Sequence, residues 1–157
     1  MDMEQLHSYE TDSSWFDKSV TAFVTDRRYR PHFVHGAMSS SLHETELGQF
    51  DLIFVDDSTS AVERAETIRQ LANRPSLKQL VVIHDFEISD YRNAASTFEH
   101  KQIFSAFTPQ TGVVWNNASQ TVEVLKKLNR QIIQHSRNIP VDDVEGWRRV
   151  LRSTTGC

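Results

Sequence analysis

The sequence is poor in the residues that punctuate or cross-link a chain. Its 157 residues include one cysteine, five glycines and four prolines. A single cysteine, Cys157, excludes an intramolecular disulfide framework, and a reducing cytoplasm is the compartment to expect. Scattered glycine and proline exclude flexible linkers and low-complexity tracts, and no internal repeat is present. No apolar run approaches the length of a membrane-spanning helix, and the acidic, polar opening MDMEQLHSYETD lacks a signal-peptide pattern. Positive charge is also short: 17 Lys and Arg stand against 21 Asp and Glu, a net charge of −4. That balance argues against a nucleic-acid partner, which calls for a basic face. The small groups Arg27–Arg28–Arg30 and Arg148–Arg149 read as solvated surface. What remains is the composition of one soluble globular domain, large enough to bury a core.

Against this background two apolar runs stand out. Phe50–Asp57 reads FDLIFVDD and Leu80–Asp85 reads LVVIHD. Both lack polar alternation, the mark of strands buried on both faces of a parallel sheet covered by helices. Both end in titratable residues. Ligands of open parallel sheets sit beyond the carboxyl ends of the strands, so Asp56, Asp57, His84 and Asp85 are expected at one site on one sheet edge.

The rest of the chain alternates strands and helices. A strand is expected over Gln5–Tyr9, ending at Glu10. Thr11-Asp12-Ser13 caps a helix from about Ser14 to Thr25, with Trp15, Val20, Phe23 and Val24 apolar. A turn over Arg27–Pro31 leads to a strand over His32–His35, and Ser39–Gly48 is a loop or short helix. Ser58-Thr59-Ser60 caps a helix over Ala61–Ala72, with Val62, Ala65, Ile68, Leu71 and Ala72 as its apolar stripe and Pro75 as its stop. A short helix over Tyr91–Phe98 precedes antiparallel strands Lys101–Phe107 and Thr111–Trp115. Helices follow from Ser119 to about Arg137 and after Asp142-Asp143. The expected architecture is a three-layer α/β sandwich with a mostly parallel sheet and a C-terminal antiparallel hairpin. Residues 1–137 form the α/β domain and 138–157 its helical extension.

Five segments in this order resemble the C-terminal two-thirds of a class I S-adenosylmethionine-dependent methyltransferase: SYETD (8–12), HFVHGA (32–37), FDLIFVDD (50–57), LKQLVVIHD (77–85) and the hairpin KQIFSAF…TGVVW. The resemblance covers residues 5 to 117 and implies a Rossmann-like fold. It implies S-adenosylmethionine as cofactor, with Glu10 on the ribose hydroxyls, Gly36, Ala37 and Met38 against the adenine, and Asp56 beside the site of methyl transfer. It also implies an acceptor hydroxyl on a small molecule or glycan. One departure is large: the family's opening strand, its glycine-rich turn and its first helix have no counterpart here. That strand lies in mid-sheet, between those matched by 5–10 and 50–55. Without it the flanking strands must close up, or a partner must donate a strand, or the chain must be a fragment or decayed relative of a longer enzyme.

Each residue carries a plainer alternative. Glu10, or Asp12, can simply cap a helix. Asp56 and Asp85 can bind a divalent cation such as Mg²⁺, Asp56 matching the metal-ligand position of catechol-type methyltransferases, although His84 is a poor Mg²⁺ ligand. Asp57 and Ser58 can cap the helix at Ala61. His84 can act as general base, its tautomer set by Asp85, or pack as a structural histidine. His32, His35 and His43 have no compact metal spacing, and Trp15, Trp115 and Trp147 read as core or interface residues. Two functions are expected: a methyltransferase-type enzyme using Asp56, His84 and Asp85, or a non-catalytic module of that fold that assembles with itself or a partner. A receiver-domain reading of FVDDS lacks the first-strand acidic pair and a fifth-strand lysine.

Overall fold

The structure, a computed structural model, describes residues 4–42, 47–74, 77–116 and 121–155. Cys157, His43, Pro75 and the helix start at Ser119 lie outside the described residues. In chain order the elements are β1 (Leu6–Glu10), α1 (Ser13–Phe23), β2 (Tyr29–Phe33), α2 (Met38–Ser41), β3 (Leu52–Val55), α3 (Ala61–Ala72), β4 (Leu80–Ile83), α4 (Ser89–Ala94), β5 (His100–Phe104), β6 (Thr111–Trp115), α5 (Thr121–His135) and α6 (Val144–Thr155). Short 3₁₀ turns precede β3 and follow α4. The chain is α/β, with helices packed on mixed sheets.

The expectation of one mostly parallel sheet is corrected. The described residues form two sheets: β1 and β2 run parallel in one, and β3–β4–β6–β5 form the other. In the second, β3 and β4 are parallel, while β6 is antiparallel to both of its neighbours. The hairpin of β5 and β6 drives this mixture. Its tight connection forces antiparallel pairing, and β6 rather than β5 docks on β4.

The second strand also starts earlier than expected. Tyr29–Phe33 pairs in register with Leu6–Glu10 and includes Pro31. Val34 donates its N–H to the Glu10 carbonyl, and Leu6 donates to that of Arg28. Even-numbered residues of β2 therefore bond to β1, and Pro31 sits where an N–H would face away from it. Proline is tolerated on such an edge because no ladder bond is lost.

The main core lies on one face of the four-stranded sheet. Val55, Val81, Ile83 and Val114 meet Ile68 and Leu71 of α3, Tyr91 of α4, and Phe86. Phe86 lies directly over Gly112, whose absent side chain makes the room: a Cβ there would sit 2.4 Å from the ring. On the opposite face Val113 and Trp115 pack with Leu125 of α5, Leu80, Val82 and Phe104.

Apolar assignments fail on α1, α3 and β3: the positions Trp15, Phe23 and Val24 given to the first helix are 59%, 45% and 74% exposed. Val62 is 75% exposed, because the stripe of α3 runs through Arg64, Ala65, Thr67, Ile68, Leu71 and Ala72 and position 62 lies off it. On β3, Leu52 and Phe54 are 52% and 57% exposed, so this strand is covered on one face only. Its other edge and other face both open onto the break between the sheets. Trp15 is exposed on α1, whereas Trp115 is buried and Trp147 half-buried.

Candidate functional site

The break between β1 and β3 is a cavity of about 490 Å³. Every residue of both strands lines it, so it runs their full length. Its floor is apolar, with Met38, Leu42, Phe50 and Leu71. Its mouth, at the carboxyl ends of the strands, is acidic, with Glu10, Asp56 and Asp57. The Thr11 hydroxyl donates to the Asp57 carbonyl at 3.4 Å and ties the two strand ends together there.

The capping alternatives resolve locally. Asp12 is the cap of α1, accepting from the N–H groups of Ser14 and Trp15 at 2.8 and 3.0 Å, so Glu10 is not spent on that role. Ser60 caps α3, so Asp57 is not spent there either. Asp57 turns inward and accepts from the Thr67 hydroxyl at 2.6 Å. Its other carboxylate oxygen is buried without a partner. Burial pushes the Asp57 carboxyl above its ordinary range, against the lowering effects of Thr67 and Arg64. Glu10 is also pushed up, first by burial and then by repulsion from Asp12, Asp56 and Asp57.

Beside the mouth, Asp56, His84 and Asp85 come together as expected, their nearest ligand-type atoms all within 4.8 Å of one another. Adjacent residues on a strand point oppositely, yet His84 and Asp85 share a side. Asp85 makes this possible by adopting a left-handed conformation, φ +56°, just beyond β4. His84 Nδ1 lies 3.5 Å from Asp56 and 3.3 Å from Asp85. It is buried and makes no hydrogen bond, so it sits in range of two carboxylates without being committed to either.

Sequence reasoning missed the residue that organises this cluster. Arg64, 5% exposed, reaches Asp56 at 2.8 Å and Asp85 at 3.1 Å, and also donates to the Ser58 carbonyl. Its guanidinium lies 5.3 Å from the Tyr91 ring centroid. The signal was present: a lone cation on the otherwise apolar stripe of α3 marks a buried ion pair. A stack also went unread. The His7 and His32 rings lie 3.0 Å apart at their nitrogens, with Tyr9 stacked on His32. Burial and His7 hold the His32 imidazole below its ordinary value near 6.5.

Of the expected adenine contacts, Met38 is buried and lines the cavity. Gly36, with φ +91°, and Ala37, which precedes α2, lie outside its lining. Among the described residues no helix is long and apolar enough to cross a membrane. No family model, no curated protein and no solved structure matches this chain.

Proposed function

We propose that this chain is a Rossmann-like domain of the class I S-adenosylmethionine-dependent methyltransferase kind, acting on a small-molecule or glycan hydroxyl. The observation that supports it best is the strand order, β2–β1, a break, then β3–β4–β6–β5, with Glu10 and Asp56 ending the strands that flank the break. The resemblance expects that order and places its one missing strand at that break.

The fit to the cofactor is uneven. At the nucleoside end Glu10 stands free at the mouth of the cavity, able to accept two hydrogen bonds from ribose hydroxyls, and Met38 supplies apolar wall. At the amino-acid end no glycine turn follows a central strand: the described glycines are Gly36, Gly48, Gly112 and Gly146. The bound cofactor supplies the methyl group. His84 takes the proton of the acceptor hydroxyl on its imidazole, and Asp56 and Asp85, flanking Nδ1, stabilise the cation so formed. A magnesium ion fits this site poorly. The carboxylates it would need are already held by the Arg64 guanidinium, and the third donor is an imidazole. No step is assigned to a metal.

Calorimetric titration with S-adenosylhomocysteine tests the proposal. Micromolar binding is expected, weakened about tenfold or more by Glu10→Ala through loss of a charge-assisted contact. No binding to a chain shown to be folded contradicts it. That result would favour the second reading, a non-catalytic binding or assembly module of the same fold, for which the divided sheet is the specific support.

A further inference from the structure

A second cavity, of about 530 Å³, shares no lining residue with the one between β1 and β3. It is a groove between the β5–β6 hairpin and α6. One wall is the hairpin, with Phe104 and Val113. The other is α6, where Val144, Trp147, Arg148 and Leu151 fall at i, i+3, i+4 and i+7. That spacing puts them on one face of the helix over two turns, so the groove is roughly 10 Å long. Local bonds fix the start of α6. Asp143 accepts from the Gly146 N–H at 2.9 Å, and the Trp147 indole donates to the Pro140 carbonyl at 2.8 Å. The Phe107 and Trp147 rings meet edge to face, with centroids 5.4 Å apart, and join the two walls. The apolar lining is open nonetheless: Val141 and Val144 are 70% and 57% exposed.

We infer that this groove binds a free medium-chain fatty carboxylate, with its acyl chain along α6 and its carboxylate on the Arg148 guanidinium. The walls select the body. Their apolar side chains offer few polar partners, and the Trp147 N–H is already bonded. An inserted peptide would bury main-chain N–H and C=O groups without partners, whereas a hydrocarbon chain has none to satisfy. The volume lies in the range of small-molecule sites, and a groove two helical turns long suits an elongated body over a compact one. Charge selects the head. Arg148 is the one charged residue among the described lining residues. It sits on a helix with three arginines against one glutamate, in a chain of net charge −4. Its present partner is Glu145 at 2.5 Å, with both side chains well exposed. Such a pair contributes little, so a carboxylate shielded by the groove displaces it and gains a charge-assisted contact with the guanidinium.

The test is calorimetric and NMR titration of the 157-residue chain with decanoate, kept below its micelle concentration. Decanol and decyltrimethylammonium are the neutral and cationic matches. Saturable binding is expected, tightest for decanoate and weakest for the cation, with the amide signals of Phe107, Val144 and Trp147 moving together. Arg148→Gln is expected to weaken decanoate about fivefold and to change decanol by less than about twofold. Glu145→Gln removes the competing carboxylate and is expected to tighten decanoate by about twofold. Val144→Asp alters an exposed side chain, so the fold is retained. It sets a charge against the acyl chain and is expected to weaken decanoate and decanol alike by about tenfold or more. Three results would overturn the inference. Decanoate does not bind saturably, or it moves none of these signals. The three amphiphiles bind alike, and Arg148→Gln changes nothing. Or vesicles of anionic lipid bind the chain while free decanoate does not, which would make this face a membrane-surface contact. None of these readouts involves S-adenosylhomocysteine, so failure here is distinguishable from failure of the cofactor assignment.

Discussion

Strands β3 and β4 are nearly the same in sequence, LIFV and LVVI, run parallel in register, and differ sharply in burial. Val81 and Ile83 of β4 are fully enclosed and Leu80 and Val82 half-buried, whereas Leu52 and Phe54 of β3 are more than half exposed. Intrinsic preference cannot distinguish them. Position does: β4 has strands on both sides and helices on both faces, while β3 ends its sheet beside the cavity. A fully apolar strand is left half-covered here because its sheet stops at it.

The contrast can be pressed by mutation. Ile83→Ala, in the covered strand, is expected to cost about 3 kcal/mol in urea unfolding, as buried isoleucine truncations do. Phe54→Ala, at the exposed position, is expected to cost about 0.5 kcal/mol or less, as surface substitutions do. Equal costs would mean that β3 is as enclosed as β4. Arg64→Leu comes next. It removes the cation that ties the end of β3 to the end of β4, and with its carboxylate partners partly in water the expected loss is about 2 kcal/mol. A gain in stability would mean that Asp56 and Asp85 need no such partner. On the β1 side, Asp12→Ala removes the cap of α1 and should lower the unfolding free energy by about 1 kcal/mol. No change would show that this helix is held by packing alone.

The smallest effect is a pH dependence. The folded-state pKa of Asp57 is raised, chiefly by burial, so the folded chain binds this proton more tightly than the unfolded one. Its contribution is fully present below the ordinary carboxylate value and is lost as pH rises through the raised folded value. Asp57→Asn keeps an acceptor for Thr67 and should flatten that loss, leaving the variant more stable than the parent at neutral pH. Parallel stability curves for the two proteins would contradict the assignment.

Much of the fold was legible because apolar runs and caps are local signals. Ala61–Ala72, Leu80–Ile83 and Thr111–Trp115 fall where their periodicity and flanking residues put them. The gathering of Asp56, His84 and Asp85 was legible too, because strand ends in a parallel pair share an edge. What escaped depended on neighbours. Pro31 reads as a turn residue until β2 is known to be an edge. Phe54 reads as core until its sheet is seen to stop there. Arg64, by its place on the stripe of α3, hints at a buried pair, but its partners Asp56 and Asp85 are given only by the fold. The turn of Asp85 into the left-handed region rests on one backbone angle that no residue pattern encodes.

The central claim, a sheet divided by an open slot, meets its most direct test in residue-resolved amide hydrogen exchange on the isolated chain. Within β3, the Ile53 and Val55 amides face β4 and should exchange slowly, while those of Leu52 and Phe54 face the slot and should exchange quickly. Within β1, Leu6 and Ser8 should be protected by β2 and His7 and Tyr9 should not. That alternation is the predicted result. Uniform protection along both strands would mean that β1 and β3 have closed on each other, and would contradict the account.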